Sequence, residues 1–375
     1  MARNMISKCC GNLFYLLLVI ISPIIIFSCK DEFVEPQLSI LTNENIAKLQ
    51  LAADNIIRDY NTPGLAAYIA VEGEGAFTIT RGVSNITTNE PMSINNTFKI
   101  ASISKTFTTE AVLILVDQGL IDLNKSIQSY LPGIKLPNGS DKITIRMLGN
   151  MTSGLFNYTD SMEFFESWYA TNGETKYTPQ QLVAIAGNRP ELNFTPGTQY
   201  EYSNTNTVLL GMLIEKVTGK KVRDVLSEKI FQPLGLVNTH WPLSQFLPYP
   251  YSHGYTYSRS SHSFIDCTNW NTSWADAAGM LISNLQDLQI WSKELIERNL
   301  LSQSSKNERF LWNMGGYGFG LENLNGWIGH PGIIEGYNSQ IWVNPGRKIT
   351  IIITTNSAIN LPAQNAMEAF AAILD

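Results

Sequence analysis

The apolar residues of this chain follow strand spacing near both ends and helical spacing between them. Residues 64–83 are typical of two strands joined by a turn at 72–75, and residue patterns typical of strands return between residues 316 and 354. Helical spacing is found in the segments 44–60, 102–119, 207–217, 278–300 and 361–374. This arrangement favours an antiparallel β-sheet formed by both chain ends, flanked by helices, with a mostly helical insertion. We therefore predict an α/β fold of the α+β type, with one domain over residues 43–375.

The first 42 residues differ in character from the rest of the chain. Two basic residues precede an almost unbroken apolar run from Leu13 to Phe27, which is short for a membrane-spanning helix and contains a proline. The run ends in Ser28 and Cys29, which resemble a bacterial lipobox, whose cysteine receives a lipid. We expect a lipoprotein signal peptide at 1–28, lipidation of Cys29 and a tether at 29–42. The protein would then be lipid-anchored in the cell envelope, either at the outer membrane, where surface exposure is one option, or in the periplasm; the alternative is an uncleaved N-terminal membrane anchor.

The charge and the cysteine content argue against several classes of function. The net charge is −6 and no basic run stands out, so nucleic acid is not an expected partner. Cys267 is the one cysteine after Cys29, so no internal disulfide is expected in the mature chain. The four histidines and four cysteines show no metal-ligand spacing, and we expect neither a metal nor an organic cofactor. The expected partners are a small-molecule or peptide substrate and, through the lipid anchor, a membrane.

Ser102 and Lys105 lie three residues apart at the predicted start of a helix. Positions i and i+3 share one helix face, so the spacing brings an amine beside a hydroxyl. A serine needs a neighbouring base to become a nucleophile, and a lysine serves as that base once burial removes its proton. We predict that Ser102 and Lys105 are catalytic. Ser104, one residue from Lys105, faces elsewhere.

A second pair of chemistry-bearing residues, Tyr202 and Asn204, lies two residues apart before a predicted helix. In extended chain both can point into one groove. A phenol beside a lysine can act as a phenolate or relay a proton, so Tyr202 is a candidate catalytic residue. The amide of Asn204 can orient either the substrate or Lys105. The plainer interpretation is a core tyrosine with a loop-capping asparagine.

A third motif, His330-Pro-Gly332, lies late in the chain, in a segment whose residue pattern is typical of a strand. A glycine there lets a substrate approach the backbone closely. His330 can donate to the Tyr202 oxygen or aid proton transfer. The plainer interpretation is a histidine on an edge strand.

Taken in order, these three motifs resemble the active site of the serine penicillin-recognising hydrolases. The resemblance is to the branch with class C β-lactamases, D-alanyl-D-alanine carboxypeptidases and related esterases, and it covers roughly residues 45–375. It implies the β-lactamase/transpeptidase-like fold, an acyl-enzyme on Ser102, and an oxyanion hole made by the backbone N–H groups of Ser102 and Ile333. Tyr202 stands where the sister pattern has its second serine, and His330 where it has a lysine.

Departures from the family pattern bear on the substrate. Carboxypeptidase relatives commonly carry a hydroxyl residue after the third-motif glycine, whereas Pro331 and Ile333 supply none. We expect a penicillin-binding, D-alanyl-D-alanine carboxypeptidase-like hydrolase, with a class C-type β-lactamase or a small-ester esterase as the alternative. A non-catalytic ligand-binding lipoprotein is the hypothesis from another class. The sequence leaves open whether Lys105 or Tyr202 is the general base.

Residues 240–275 are rich in aromatic side chains and show little helical or strand period. Two interpretations stay open for this segment: an excursion over the substrate cleft, or a surface loop that packs its own aromatics.

Overall fold

The computed structural model describes residues 39–258, 261–297 and 299–375. The predicted signal peptide at 1–28 and the predicted lipidation site Cys29 lie outside the described residues, as does most of the predicted tether. Residues 39–41 donate hydrogen bonds to the carboxylate of Glu74 at 2.7–2.9 Å, which places the start of the described chain against the first β-turn. None of the helices in the described ranges has the length and apolar character needed to cross a bilayer.

The strands of the described chain form one large antiparallel sheet and two small two-stranded sheets. In chain order the strands are β1 (Gly64–Val71), β2 (Gly75–Asn85), β3 (Glu90–Pro91), β4 (Phe98–Lys99), β5 (Tyr255–Ser258), β6 (Ser263–Asp266), β7 (Ile282–Ser283), β8 (Glu322–Leu324), β9 (Trp327–Ile334), β10 (Tyr337–Asn344) and β11 (Ile349–Thr355). The large sheet has the order β3-β2-β1-β11-β10-β9-β8. β1 pairs with β11, with Tyr68 opposite Ile352, so the two chain ends meet at the centre of the sheet. The predicted antiparallel sheet formed by both chain ends is confirmed.

Helices cover both faces of this sheet and fill the middle of the chain. They are α1 (Asn43–Asp59), α2 (Ser104–Asp117), α3 (Ile127–Tyr130), α4 (Ile145–Gly149), α5 (Met162–Tyr169), α6 (Pro179–Gly187), α7 (Asn204–Thr218), α8 (Val222–Leu226), α9 (Gln232–Leu234), α10 (Leu285–Glu297), α11 (Gln303–Arg309) and α12 (Pro362–Leu374). Local signals fix several boundaries. Thr42 caps α1 by accepting from the Asn45 amide, and Gly219 ends α7 in the left-handed region.

The central strands are buried on both faces because each face meets a different group of helices. On β1, Leu65, Ala67 and Ile69 pack in the core beneath α1 and α12, whereas Ala66 joins the larger core on the opposite face. The alternation follows from the two-residue period of a strand. The larger core includes α2 and α7, the two helices that carry the first two motifs, and therefore fixes them relative to the sheet.

The prediction of a helix over residues 278–300 is wrong for the residues before Leu285. α10 begins at Leu285, and the chain before it forms β7, which pairs with β4. The backbone N–H of Leu281 donates to Ser104 Oγ at 3.1 Å, and the Ile100 N–H donates to Leu281 O at 3.0 Å. These long-range hydrogen bonds override the local helical spacing of the segment.

Two further predictions for the second half of the chain differ from the structure. Residues 317–321, predicted as strand, form no strand beyond an isolated bridge from Tyr317 to Glu322. Gly316, just before them, and Gly320, within them, are both in the left-handed region, with φ of +70° and +76°. The aromatic segment 240–275, predicted to lack strand period, contains the hairpin of β5 and β6.

Candidate active site

Ser102 lies at the junction between a sheet-side segment and the long helix α2. It is the central residue of a short 3₁₀ turn, Ala101–Ile103, that leads directly into α2. Ala101 has a φ of +50°, in the left-handed region that costs free energy for a residue with a Cβ. The strained turn before Ser102 holds the serine at the start of the helix, where backbone N–H groups lack partners within the helix.

The hydroxyl oxygen of Ser102 receives hydrogen bonds from two of the predicted catalytic residues. Lys105 Nζ donates to Ser102 Oγ at 2.9 Å, and the Tyr202 hydroxyl donates to the same oxygen at 3.0 Å. A second hydrogen bond, 2.7 Å long, runs from Lys105 Nζ to the carbonyl oxygen of Ala278 and fixes the amine. The neighbouring Ser104 accepts from the Leu281 backbone and takes no part in this cluster.

Burial controls the protonation of this cluster. Lys105 is fully buried, and burial lowers the pKa of its amine well below the ordinary value, with the charge of Glu322 opposing the effect. Burial likewise raises the pKa of Tyr202 above the ordinary value of a phenol, against the smaller effect of its hydrogen bond to Ser102. The cluster therefore favours a neutral amine, which can accept a proton, and a neutral phenol, which can donate one.

Asn204 begins α7 and lies beside the nucleophile, with its own partners on a neighbouring turn. Its side-chain amide donates to Thr159 Oγ1 at 3.1 Å, and its backbone N–H donates to Asn157 Oδ1 at 2.9 Å. Between the described side chains of Asn204 and Lys105 there is no hydrogen bond. Asn204 lines the same cavity as Ser102, so contact with a substrate stays a prediction for this residue.

His330 is 1% exposed and is held by two hydrogen bonds. Its Nδ1 lies 2.6 Å from the carbonyl oxygen of Pro331, which can only accept, so Nδ1 carries the proton and Nε2 accepts from the Tyr317 hydroxyl at 3.0 Å. Burial lowers the pKa of His330 to about 3, so the ring stays neutral. The donation to Tyr202 that we expected from the sequence is therefore not the geometry found, and the ring centroids of the two residues are 6.1 Å apart.

Two residues beside His330, Tyr317 and Glu322, belong to no motif by which sequence analysis could have identified them. Tyr317 provides the hydroxyl partner just described, and Glu322 Oε1 lies 3.9 Å from His330 Nε2. Glu322 is on β8, opposite Gly329 of β9, so the strand register brings it next to the third motif. Burial raises the pKa of Glu322 to about 7, and the charge of Lys105 opposes that rise.

Gly332 allows β9 to lie against the segment that carries the nucleophile. A Cβ at this position would come within 2.3 Å of the Ile100 carbonyl oxygen and 2.4 Å of Ser339 Oγ, so no larger residue fits. The next residue, Ile333, lines the cavity together with Ser102. These are the two residues whose backbone N–H groups the family resemblance assigns to an oxyanion hole.

A cavity of about 300 Å³ opens at Ser102. Its other lining residues are Ala101, Thr159, Asp160, Phe165, Asn204, Trp274, Ala275, Ala278, Gly279, Ile333 and Ile334. Trp274 belongs to the aromatic segment 240–275, so one end of that segment does reach the site, whereas Trp270 packs on Trp168. No lysine or arginine is among these lining residues, and the larger cavities of about 510 and 500 Å³ do not include Ser102.

No group of three or more His, Cys, Asp and Glu side chains is placed to hold a metal ion within residues 39–258, 261–297 and 299–375.

The amino-acid sequence of this chain is similar to a known protein family and to individual proteins. The Beta-lactamase family model matches residues 49–374. Protein flp of Staphylococcus aureus (strain NCTC 8325 / PS 47) is 25% identical over 328 residues, and penicillin-binding protein 4* of Bacillus subtilis (strain 168) is 28% identical over 297 residues. The alignments cover 84% and 73% of this chain, respectively. They cover 64% of each relative, so the chain spans less than two-thirds of the length of these relatives.

Solved structures match over a larger share of their own length. The D-stereospecific amidohydrolase from Streptomyces sp. superimposes with a TM-score of 0.77 at 33% identity, covering 86% of this chain and 97% of that protein. The D-amino acid amidase from Ochrobactrum anthropi SV3 superimposes with a TM-score of 0.74 at 24% identity, covering 88% and 99%, and shows the shared fold.

Proposed function

This chain belongs to the beta-lactamase family of serine hydrolases, and on that premise we propose that it hydrolyses small amides, D-amino acid amides foremost, through an acyl-enzyme on Ser102. The observation that carries the proposal is the pair of hydrogen bonds on Ser102 Oγ, from Lys105 Nζ at 2.9 Å and from the Tyr202 hydroxyl at 3.0 Å. Such a nucleophile, at the edge of a cavity and next to a buried amine, is suited to acyl transfer.

The proposed reaction follows from the protonation of the cluster. Neutral Lys105 accepts the hydroxyl proton of Ser102 as Oγ forms a bond to the substrate carbonyl carbon. The carbonyl oxygen becomes an oxyanion, and the backbone N–H groups of Ser102 and Ile333 stabilise it. When the carbon–nitrogen bond breaks, the leaving nitrogen takes a proton from the Tyr202 hydroxyl, which is replenished from Lys105. Water then attacks the acyl-enzyme by the reverse proton path and releases the acid and free Ser102.

The charges around the cavity favour an amide without a free carboxylate. None of the lining residues is a lysine or an arginine, and His330, at the position of the family's lysine, is held neutral by burial. A substrate carboxylate would therefore lack a cationic partner there. The Streptomyces structure, 33% identical, is described as a D-stereospecific amidohydrolase, and this supports a D-amino acid amide as the substrate class.

A D-alanyl-D-alanine carboxypeptidase-like activity is the second candidate. It is supported by the sequence match to penicillin-binding protein 4*. A β-lactamase activity has the same difficulty as the carboxypeptidase, since penicillins also carry a carboxylate. An esterase would use the same Ser102 chemistry on an easier leaving group.

A substrate panel decides between these activities. We would measure kcat/KM of the full protein and of its Ser102→Ala variant with D- and L-phenylalaninamide, an N-acylated D-Ala-D-Ala peptide, a chromogenic cephalosporin and p-nitrophenyl butyrate. The proposal requires D-phenylalaninamide to be hydrolysed, with Ser102, at a higher kcat/KM than the peptide or the cephalosporin. A preference for the peptide would establish the carboxypeptidase instead, and the absence of any Ser102-dependent turnover would establish a binding role.

We also propose that a lipid on Cys29 anchors the protein to the cell envelope. The proposal rests on the small residue before Cys29 and the apolar run before that. Metabolic labelling with a radioactive fatty acid should label the wild-type protein and its Cys10→Ser variant but not Cys29→Ser. An unlabelled, membrane-bound protein that keeps residues 1–28 would establish the uncleaved anchor.

A further inference from the structure

We infer that Asp160 recognises the α-ammonium group of the substrate, so that the site selects amides of amino acids with a free amine over amides without one. The inference rests on the proposed function and narrows its substrate class. It is carried by the position of one carboxylate in the cavity that contains the nucleophile.

Asp160 is on a rigid turn at the edge of the cavity. It ends the 3₁₀ turn Tyr158–Asp160. Tyr158 is fully buried, its hydroxyl donates to the Trp274 carbonyl oxygen at 2.5 Å, and its backbone N–H donates to Thr205 Oγ1 at 3.3 Å. The turn is therefore fixed both to α7 and to the aromatic segment, and the carboxylate beside it has a defined place.

The carboxylate of Asp160 is oriented on one side and open on the other. Asn157 Nδ2 donates to Asp160 Oδ1 at 3.0 Å, and Asn157 Oδ1 accepts from the Asn204 backbone. Asn157 therefore links Asp160 to Asn204 of the second motif. Within the described ranges, Oδ2 of Asp160 accepts no hydrogen bond and no lysine, arginine or histidine pairs with the carboxylate.

A substrate ammonium would complete this arrangement. Asp160 is exposed at the mouth of the cavity, and partial burial raises the pKa of its carboxyl against the hydrogen bond from Asn157. An ammonium group supplies three donors and the opposite charge, and charge-assisted hydrogen bonds of this kind are among the stronger ones in proteins. A substrate carboxylate placed there would instead meet a like charge.

The remaining walls of the cavity fit the rest of an amino acid amide. Phe165, Trp274 and Ile333 provide apolar surface for a side chain, while Ser102 faces the carbonyl carbon. A volume of about 300 Å³ is at the small end of ligand cavities, which suits one residue better than a long peptide. The substrate class is therefore an amide of a single amino acid with a free amine and an apolar side chain.

The test compares two substrates that differ only in the amine. D-Phenylalaninamide and 3-phenylpropanamide would be hydrolysed by wild type, Asp160→Asn and Glu163→Gln, a control carboxylate that is absent from the cavity lining. Wild type and Glu163→Gln should prefer the amine-bearing amide in kcat/KM by roughly tenfold to a hundredfold, the usual range for one hydrogen bond to a charged group. Asp160→Asn should abolish that preference and leave 3-phenylpropanamide within about threefold. Equal loss on both amides would show a structural role and overturn the inference.

A binding measurement keeps the two proposals distinguishable. In the Ser102→Ala background, calorimetry with D-phenylalaninamide should show a dissociation constant that rises about tenfold or more when Asp160→Asn is added. One outcome is that Ser102-dependent hydrolysis of p-nitrophenyl butyrate is present, but Asp160→Asn changes neither the kcat/KM preference for the amine-bearing amide nor the dissociation constant of D-phenylalaninamide. In that case the ammonium inference alone is wrong. If no substrate is turned over but Asp160→Asn weakens binding, the proposed hydrolysis is wrong and the ammonium site stands.

Discussion

Lys105 Nζ lies 4.9 Å from the centre of the Tyr202 ring, and the two side chains donate to the same oxygen of Ser102. In the proposed mechanism the phenol delivers a proton and is not itself the base. Tyr202→Phe keeps the ring beside the amine and removes only the hydroxyl. We expect kcat to fall roughly a hundredfold to ten-thousandfold with little change in KM, the range typical of a lost general acid.

The matched control for this change is Tyr200→Phe, since Tyr200 is two residues away and packs against the Tyr317 ring, with no hydrogen bond to Ser102 in the described structure. Steady-state kinetics should show near wild-type kcat for Tyr200→Phe. Equal kcat for Tyr202→Phe and Tyr200→Phe would contradict the assignment of Tyr202 as proton donor.

The pH dependence of kcat/KM follows from the two buried groups. Burial holds the pKa of Lys105 well below 10.5 and raises that of Tyr202 above 10. The proposed mechanism needs neutral Lys105, so kcat/KM for 3-phenylpropanamide, which has no amine of its own to titrate, should rise with pH through the lysine pKa, well below pH 10.5. It should then stay level to about pH 10, because the phenol keeps its proton there. A decline that begins between pH 8 and pH 10 in the absence of unfolding would contradict this order.

Glu322 should set the position of the acid limb of that profile. Its ionised carboxylate favours the charged form of Lys105, and its own pKa is raised by burial to about 7. Glu322→Gln removes this charge, so the lysine pKa should fall and the acid limb should move to lower pH. Profiles of kcat/KM against pH for wild type and Glu322→Gln, measured side by side, check the direction of this shift. A shift of the acid limb to higher pH in Glu322→Gln would contradict the electrostatic account.

Gly332→Ala should damage the site through the backbone. The new methyl group would lie 2.3 Å from the Ile100 carbonyl oxygen, so β9 must move away from the turn that bears Ser102. We expect a loss of about 1–3 kcal/mol in the free energy of unfolding, as for other overpacked positions, and more than a tenfold loss of kcat/KM. Gly346→Ala is the control, because its Cβ would meet nothing closer than 3.5 Å. Similar kinetics for the two variants would argue against the close approach of β9.

A buried ion pair links α2 to α11. Glu110 of α2 and Arg309 of α11 are both fully buried and pair with each other, and Arg309 also donates to the Thr106 carbonyl oxygen at 3.0 Å. Glu110→Gln leaves a buried guanidinium without its counter-charge and should cost roughly 3–5 kcal/mol in the free energy of unfolding. Denaturant titration measures this change. Glu44→Gln, which breaks the exposed pair with Lys48, should have no measurable effect, and equal effects of the two variants would contradict the account.

The sequence predicted those features that arise from local periodicity and spacing. Strand patterns at both ends predicted one sheet built from both termini, and in the structure β1 pairs with β11 in that sheet. The three-residue spacing of Ser102 and Lys105 predicted an amine beside a hydroxyl, and the two groups lie 2.9 Å apart. Helix α12, predicted at 361–374, was correct to within one residue, and it begins at Pro362, a residue type favoured at the first helical position. Each of these depends on residues close together in the chain or on one strand period.

The parts that sequence reasoning missed depend on long-range contacts. Asp160 and Trp274 reach the cavity because Tyr158 bonds to the Trp274 backbone, across 116 positions of the chain. β7 forms because it pairs with β4, and this pairing displaces the predicted start of α10. The positive φ of Ala101 has no signal in the sequence, since alanine seldom adopts that conformation.

The most direct test of the central claim is the intact mass of the protein after rapid mixing with D-phenylalaninamide or p-nitrophenyl butyrate and acid quenching. The acyl-enzyme account predicts a mass increase equal to the acyl group, located on the peptide that contains Ser102. The increase should be present in wild type and in Ser104→Ala and absent from Ser102→Ala. Turnover that persists in Ser102→Ala, or an acyl group found on another residue, would contradict the account.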